Sequence, residues 1–204
     1  RNALVLLVGI AVLAGLYVLT HKKSLTILVV SLDTTRPDHL TPYGYDRDTS
    51  PMLARLAEEG VVFTNARSTT SWTLPSHMSL FTGLPPDLHD VQIDFNTLDT
   101  SRRTMGEIFA EDDFRTFGLY TAPYVHERFG FGRGMEYYEQ GTQYPMAYDL
   151  TPEQMDEQMA TREAMSHAEV SSLRVGKRAV SFLQNQAGPR TLMFLHFFDP
   201  HYDF

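Results

Sequence analysis

Two apolar runs frame the chain. "LTILVVSL", residues 25–32, is β-branched and lacks polar alternation, and "TLMFLHFF", residues 191–198, is apolar but for Thr191 and one His. Runs of this kind predict buried central strands of a parallel sheet covered on both faces. Between them the pattern changes period. "SPMLARLAEEG" has Ser50 as N-cap, Pro51 at the first helical position and Gly60 as stop, which predicts a short helix. "VVFTNAR" predicts a strand, and "SHMSLFTGL" a helix opening at Ser76. "TMGEIFAE" predicts another helix and "FRTFGLYTA" another strand, whereas "RFGFGRGMEYYE" reads as a packed turn or loop. Residues 151–186 are polar with helical spacing and predict two helices. Strands alternating with helices indicate an α/β fold with a mostly parallel central sheet flanked by helices.

A third apolar run stands apart. Residues 3–20, "ALVLLVGIAVLAGLYVLT", carry no charge over 18 positions, close to the ~20 residues a spanning helix needs. It is long for a signal-peptide core, and "HKKSLT" rather than a small-residue cleavage site follows it. A buried helix would not be apolar all round at a chain end. A membrane anchor over residues 1–23 is the expectation, leaving 24–204 as the N-terminal portion of a catalytic domain. Lysines on the C-terminal side of the run would argue for a cytoplasmic domain, but the N-terminal flank is too short for a comparison.

Charge and composition narrow the function. The net charge is −8 and no basic stripe is present, which disfavours nucleic-acid binding. There is no Cys, which excludes disulfides, thiolate zinc sites and thiol catalysis.

In open parallel sheets, ligands bind beyond the carboxyl ends of the strands. Asp33 follows the first long strand there, and Asp199 and His201 follow the last. The segment "STTSWTLPSHMSLFTG", residues 68–83, lies in the same kind of place, between a strand and a helix. Pro75 is expected to keep Thr73 and Leu74 extended, so that Thr73 or Ser76 precedes a helix N-terminus, where an anion is favoured. A hydroxyl held there, activated by a metal, is suited to attack phosphorus or sulfur. Asp33 is a hard oxygen ligand for such a metal. Taken alone, the same hydroxyls are ordinary helix caps.

The combination changes the balance. A strand ending in Asp33, then "RPDHL", "YGY", "TSPMLARLAEEGVVFTNA", "LFTG" and "HDV", continues through "TMGEIFAEDDFRTFGLY" and "RFGFGRGMEYYE" to "FLHFFDPHYDF". This ordered series, covering essentially residues 25–204, resembles the N-terminal part of the sulfatase family in the alkaline phosphatase superfamily. The resemblance implies Thr73 as nucleophile, Asp33 and Thr73 as metal ligands with Asp199 as a further candidate, and His201 facing the substrate anion. The remaining ligands would follow residue 204. His77 takes the place of the family Arg, as either an anion contact or an exposed first-turn residue.

The departures from the family pattern bear on chemistry. Formylglycine sulfatases carry Cys or Ser at the nucleophile. Thr73 has a secondary hydroxyl that cannot yield that aldehyde, and Thr34 breaks the usual aspartate pair. Both changes resemble superfamily members that use a Thr alkoxide on zinc or manganese and form phosphothreonine, several of them membrane-anchored with an exported catalytic domain. Zinc or manganese is therefore expected as the divalent metal, with calcium as the alternative. The expected substrate is a small-molecule, lipid or glycan ester, and the expected location is a periplasmic or extracellular face. Sulfate-ester hydrolysis without formylglycine and an inactive sulfatase-like binding domain are the rival readings. Among the lesser signals, His89 is read as orienting its loop, His196 as a buried, hydrogen-bonded strand residue that alternation could instead point at the site, and Arg36 as an anion contact or a structural ion pair.

Overall fold

The structure is a computed structural model describing residues 23–93, 96–141, 154, 157, 161 and 171–201. The expected anchor at residues 3–20 and most of the first helix expected within 151–186 lie outside the described residues. No helix among the described residues is long and apolar enough to cross a membrane.

The α/β expectation holds. Four parallel strands, β1 (Leu25–Leu32), β2 (Arg115–Tyr120), β3 (Tyr137–Gln140) and β4 (Arg190–Phe197), form one sheet in the order β1-β4-β2-β3. The α-helices are α1 (Pro51–Glu59), α2 (Thr73–Thr82), α3 (Pro86–His89), α4 (Met105–Glu111) and α5 (Ser172–Asn185). The register pairs Ser31 with His196 and Leu32 with Phe197. Both strands therefore end at the same level, and their loops share one edge of the sheet.

Side chains alternate across β4 as strand geometry requires. Phe194 and Phe198 join Leu74, Met78 and Phe81 of α2 in one core. Met193 and Leu195 pack on the other face with Phe117, Leu119 and α5 residues Val175, Ala179 and Phe182. The His between them, His196, thus points toward α2. β4 is the covered interior strand that its sequence predicts.

β1 is not. Among the described residues it pairs only with β4, and Leu28 and Val30 on its far face are 49% and 48% exposed. The reason is reach: the cluster built around α5 takes its sheet residues from β2 and β4.

Three local expectations are corrected. "VVFTNAR" is not a strand, and its Val61 and Phe63 stand in solvent; apolar content alone does not supply a pairing partner. The loop expected over "RFGFGRGMEYYE" is a turn that runs into β3, where Tyr138 stacks on Tyr120 at 4.8 Å between ring centroids. The helix expected to open at Ser76 opens at Thr73. Pro75 sits in its first turn, where its missing N–H costs no intrahelical bond. Ser76 N closes that turn on Trp72 O at 3.2 Å.

Candidate active site

Asp33 and Thr73 meet across the sheet edge. Thr73 Oγ1 donates to Asp33 Oδ2 at 3.1 Å. Asp33 is anchored at the end of β1 by its own N–H to Phe197 O at 3.0 Å, and its Oδ1 accepts from Thr34 N at 2.9 Å. Thr34 takes φ 53°, an uncommon conformation for a β-branched residue. Backbone strain of this kind gathers at functional sites. The loop so turned meets the β4 loop, where Thr34 Oγ1 donates to Pro200 O at 3.5 Å.

Asp33 is buried. Burial by itself would raise its pKa, but the imidazole of His196 above all, with the Thr73 hydroxyl, holds it below the ordinary carboxylate value. It is therefore an anion at neutral pH, and a poor proton acceptor for an alcohol.

His77 is buried rather than exposed. Its Nδ1 lies 2.8 Å from Thr73 O and its Nε2 2.8 Å from Ser31 Oγ. A carbonyl only accepts, so Nδ1 carries the proton and Ser31 donates to Nε2. This is a neutral imidazole holding the Thr73 carbonyl, not a cation reaching for an anion. Desolvation, reinforced by His196, pushes its pKa down to about 4.

A cavity of about 420 Å³ opens over the pair, lined by Asp33, Thr34, Thr73, Ser76, His77 and His201 among others. The N-terminus of α2, with its partial positive charge, forms one wall. His201 stacks on Phe198, with 4.3 Å between ring centroids. The structure therefore brings together Asp33, Thr73, His77 and His201.

It does not bring Asp199 to them. The Asp199 carboxylate accepts from Ser171 N at 3.0 Å, Ser171 Oγ at 2.7 Å, Ser172 N at 2.7 Å and Ser172 Oγ. It holds the start of α5, and its acceptor capacity is taken up there. Among the described residues no three His, Asp or Glu side chains are grouped to hold a metal.

Two site residues carried little signal in the sequence. Ser31 is two positions before Asp33, so strand alternation places both on one face. His196 was expected to be hydrogen-bonded. It is fully buried as expected and Nε2 lies 3.3 Å from Asp33 Oδ2, but neither ring nitrogen has a hydrogen-bond partner among the described residues. His89 does orient its loop, with Nε2 on Pro75 O at 3.2 Å and Nδ1 accepting from Val91 N at 3.0 Å. Arg36 forms an exposed pair with Asp38 at 2.6 Å.

A sequence model of the sulfatase family matches residues 25–204. The chain belongs to the sulfatase family. No curated protein matches it. Solved structures agree with this family chain at the level of the fold. A Bacteroides thetaiotaomicron protein assigned as a sulfatase superposes with a TM-score of 0.65 at 19% identity, over 88% of this chain and 36% of its own. The phosphonate monoester hydrolase of Agrobacterium radiobacter gives 0.62 at 16%, over 87% and 41%. The zinc complex of the C-terminal periplasmic domain of EcEptC from Escherichia coli gives 0.56 at 17%, over 86% and 44%. The sulfatase-family chain thus spans less than half the length of these structures.

One prediction arises from its buried imidazoles. His126 accepts from Arg128 N at 3.1 Å through Nδ1, and desolvation, with the Arg128 charge second, pushes its pKa down to about 4, as at His77. Between about 4 and the ordinary 6.5 the unfolded chain binds more protons than the folded one. This contribution to stability is therefore full above 6.5 and falls as pH drops toward 4. Urea midpoints of the full-length protein should be clearly lower at pH 5 than at pH 7. Equal midpoints would show that both imidazoles are protonated at no cost.

Proposed function

We propose that the protein to which this chain belongs is a metal-dependent hydrolase or group transferase of phosphate or sulfate esters, with Thr73 as nucleophile. The observation that carries this reading is the Thr73 hydroxyl, 3.1 Å from the buried Asp33 carboxylate at the mouth of the cavity. The oxygen donor set fits a hard divalent cation, which Asp33 and Thr73 would hold. When bound, such a cation supplies Lewis acidity that lowers the pKa of a hydroxyl and offsets charge on the ester.

The chain's own residues do the rest. The α2 N-terminus and His201 face the space where the ester anion lies. His77 and Ser31 fix the Thr73 carbonyl from behind, so the hydroxyl is positioned rather than free. Thr73 Oγ forms a bond to phosphorus as the ester P–O bond breaks, and the proton that the Thr73 hydroxyl gives up passes by way of solvent to the departing oxygen. Water or an acceptor alcohol then cleaves the phosphothreonine. Phosphate is favoured over sulfate because a secondary hydroxyl cannot be converted to formylglycine. Small-molecule, lipid or glycan esters fit an open cavity. On this reading residues 3–20 anchor the protein and the catalytic domain is exported.

The test uses the full-length protein loaded in turn with zinc, manganese and calcium. A phosphodiester, a phosphomonoester and an aryl sulfate are assayed side by side, and the phosphodiester reaction is acid-quenched for peptide mass spectrometry. Phosphodiester turnover with phosphate on the Thr73 peptide is expected. Turnover of the aryl sulfate alone would sink the phosphoester assignment, and phosphate on another residue would sink Thr73.

A further inference from the structure

His196 is the one fully buried polar side chain beside the Asp33–Thr73 pair whose polar atoms are left without hydrogen bonds. It is 0% exposed, and neither Nδ1 nor Nε2 has a partner among the described residues. An unpaired buried imidazole nitrogen carries an uncompensated desolvation cost, so a chain does not hold one without a compensating interaction elsewhere. The nitrogen is aimed: Nε2 lies 3.3 Å from Asp33 Oδ2. The contact favours the Asp33 carboxylate electrostatically but falls outside hydrogen-bond geometry.

We propose that His196 is the nitrogen ligand of the metal held at Asp33 and Thr73. This rests on the metal-dependent reading above.

The spacing agrees. Two donors bound at 2.0–2.2 Å to one tetrahedral zinc lie about 3.3–3.6 Å apart. Asp33 Oδ2 is 3.1 Å from Thr73 Oγ1 and 3.3 Å from His196 Nε2. A cation at Asp33 would be offered oxygen by Thr73, which lines the cavity, and nitrogen by His196, which is buried. His196 thereby takes the place expected of Asp199, whose oxygens are committed to α5. The ring is also held for the purpose. It packs edge-on against His77, with 4.9 Å between centroids. On the β4 backbone, Thr121 Oγ1 donates to His196 O at 3.2 Å and accepts from Phe198 N at 2.8 Å. An imidazole in the donor set selects zinc over calcium, which takes oxygen.

The experiment measures metal binding, not turnover. Zinc affinity of the full-length chain is determined by competition with a chromophoric chelator, and the cobalt-substituted protein is recorded in the visible range. His196→Phe keeps an aromatic ring, somewhat larger, beside Phe194 and removes both nitrogens. Zinc affinity should fall about 100-fold or more, and the cobalt bands should shift. Unchanged affinity and bands in a folded His196→Phe protein overturn the His196 assignment alone. A wild-type protein that binds no zinc overturns the metal reading with it. Should His196→Phe not fold, wild-type protein labelled with ¹⁵N-histidine decides the matter. Nε2 of His196, assigned by correlation to its own side-chain carbons, should gain a coupling to bound cadmium-113, and its absence in the loaded protein overturns the proposal.

Discussion

Replacing Thr73 by Ala is expected to lower phosphodiester turnover of the full-length protein by about 10⁴-fold or more, the scale on which loss of a nucleophile acts. The expectation comes from what the substitution leaves intact. Thr73 is half-buried at the first position of α2, where Ala is an equally good helix former. His77 binds the backbone carbonyl of residue 73, not its side chain, so that anchor survives. Asp33 loses one donor but keeps Thr34 N. The melting temperature should therefore move by only a few degrees, as for a change of about 1 kcal/mol. Thr73→Ser keeps the hydroxyl and should retain measurable turnover. Thr73→Ala turnover within tenfold of wild type would place the nucleophile elsewhere. A variant that fails to turn over and also melts far lower would mean that Thr73 is structural.

The largest loss of stability is expected at Gly134. Its φ is +74°, and a Cβ built there would lie 2.1 Å from Glu107 N and 2.4 Å from Glu107 Cα. Those are backbone atoms of α4, which cannot swing aside as a side-chain tip does. The helix is pinned from several directions. Arg133 Nη2 reaches Glu107 Oε1 at 3.0 Å and Arg102 O at 2.8 Å, while Thr104 Oγ1 donates to Arg133 O at 2.8 Å. Thr104 and Glu107 also close a capping box at the start of α4. Gly134→Ala adds left-handed strain to a clash with fixed backbone, and should cost about 4 kcal/mol or more. Gly176 supplies the contrast. It lies inside α5 with nothing within 4 Å of a built Cβ, so Gly176→Ala should stabilise by up to about 1 kcal/mol. Denaturant titrations of the two full-length variants check both signs. Equal effects would show that the turn yields around Gly134.

Much of this architecture is visible in the one-dimensional pattern. β1 and β4 coincide closely with the two apolar runs, because unbroken β-branched or aromatic stretches have little alternative to a sheet interior. Asp33 stands out because it follows the carboxyl end of such a run, where ligands bind in open parallel sheets. Helix α1 was marked by Pro51 and Gly60, although the Ser50 hydroxyl accepts from Thr41 N at 2.9 Å rather than from the helix. What escaped depends on partners distant in the chain. That Ser31 and His196 share a face follows from cross-strand register, which no local pattern contains. The commitment of Asp199 depends on a helix that begins 27 residues earlier, at Ser172. Pro75 misled because the rule against helix before proline yields in a first turn. "VVFTNAR" misled because its apolar residues resemble a strand whether or not a neighbour is there to pair with it.

The four bonds from Ser171 and Ser172 to Asp199 have a mechanical side. Asp199 lies two residues before His201, on the short loop that also touches Thr34. This loop is a rivet through the sheet edge, with its head on the helix behind and its tail in the wall of the cavity in front. Sway of α5 at its first turn is therefore delivered to the imidazole that faces the cavity. The back layer of the fold sets the gauge of the front.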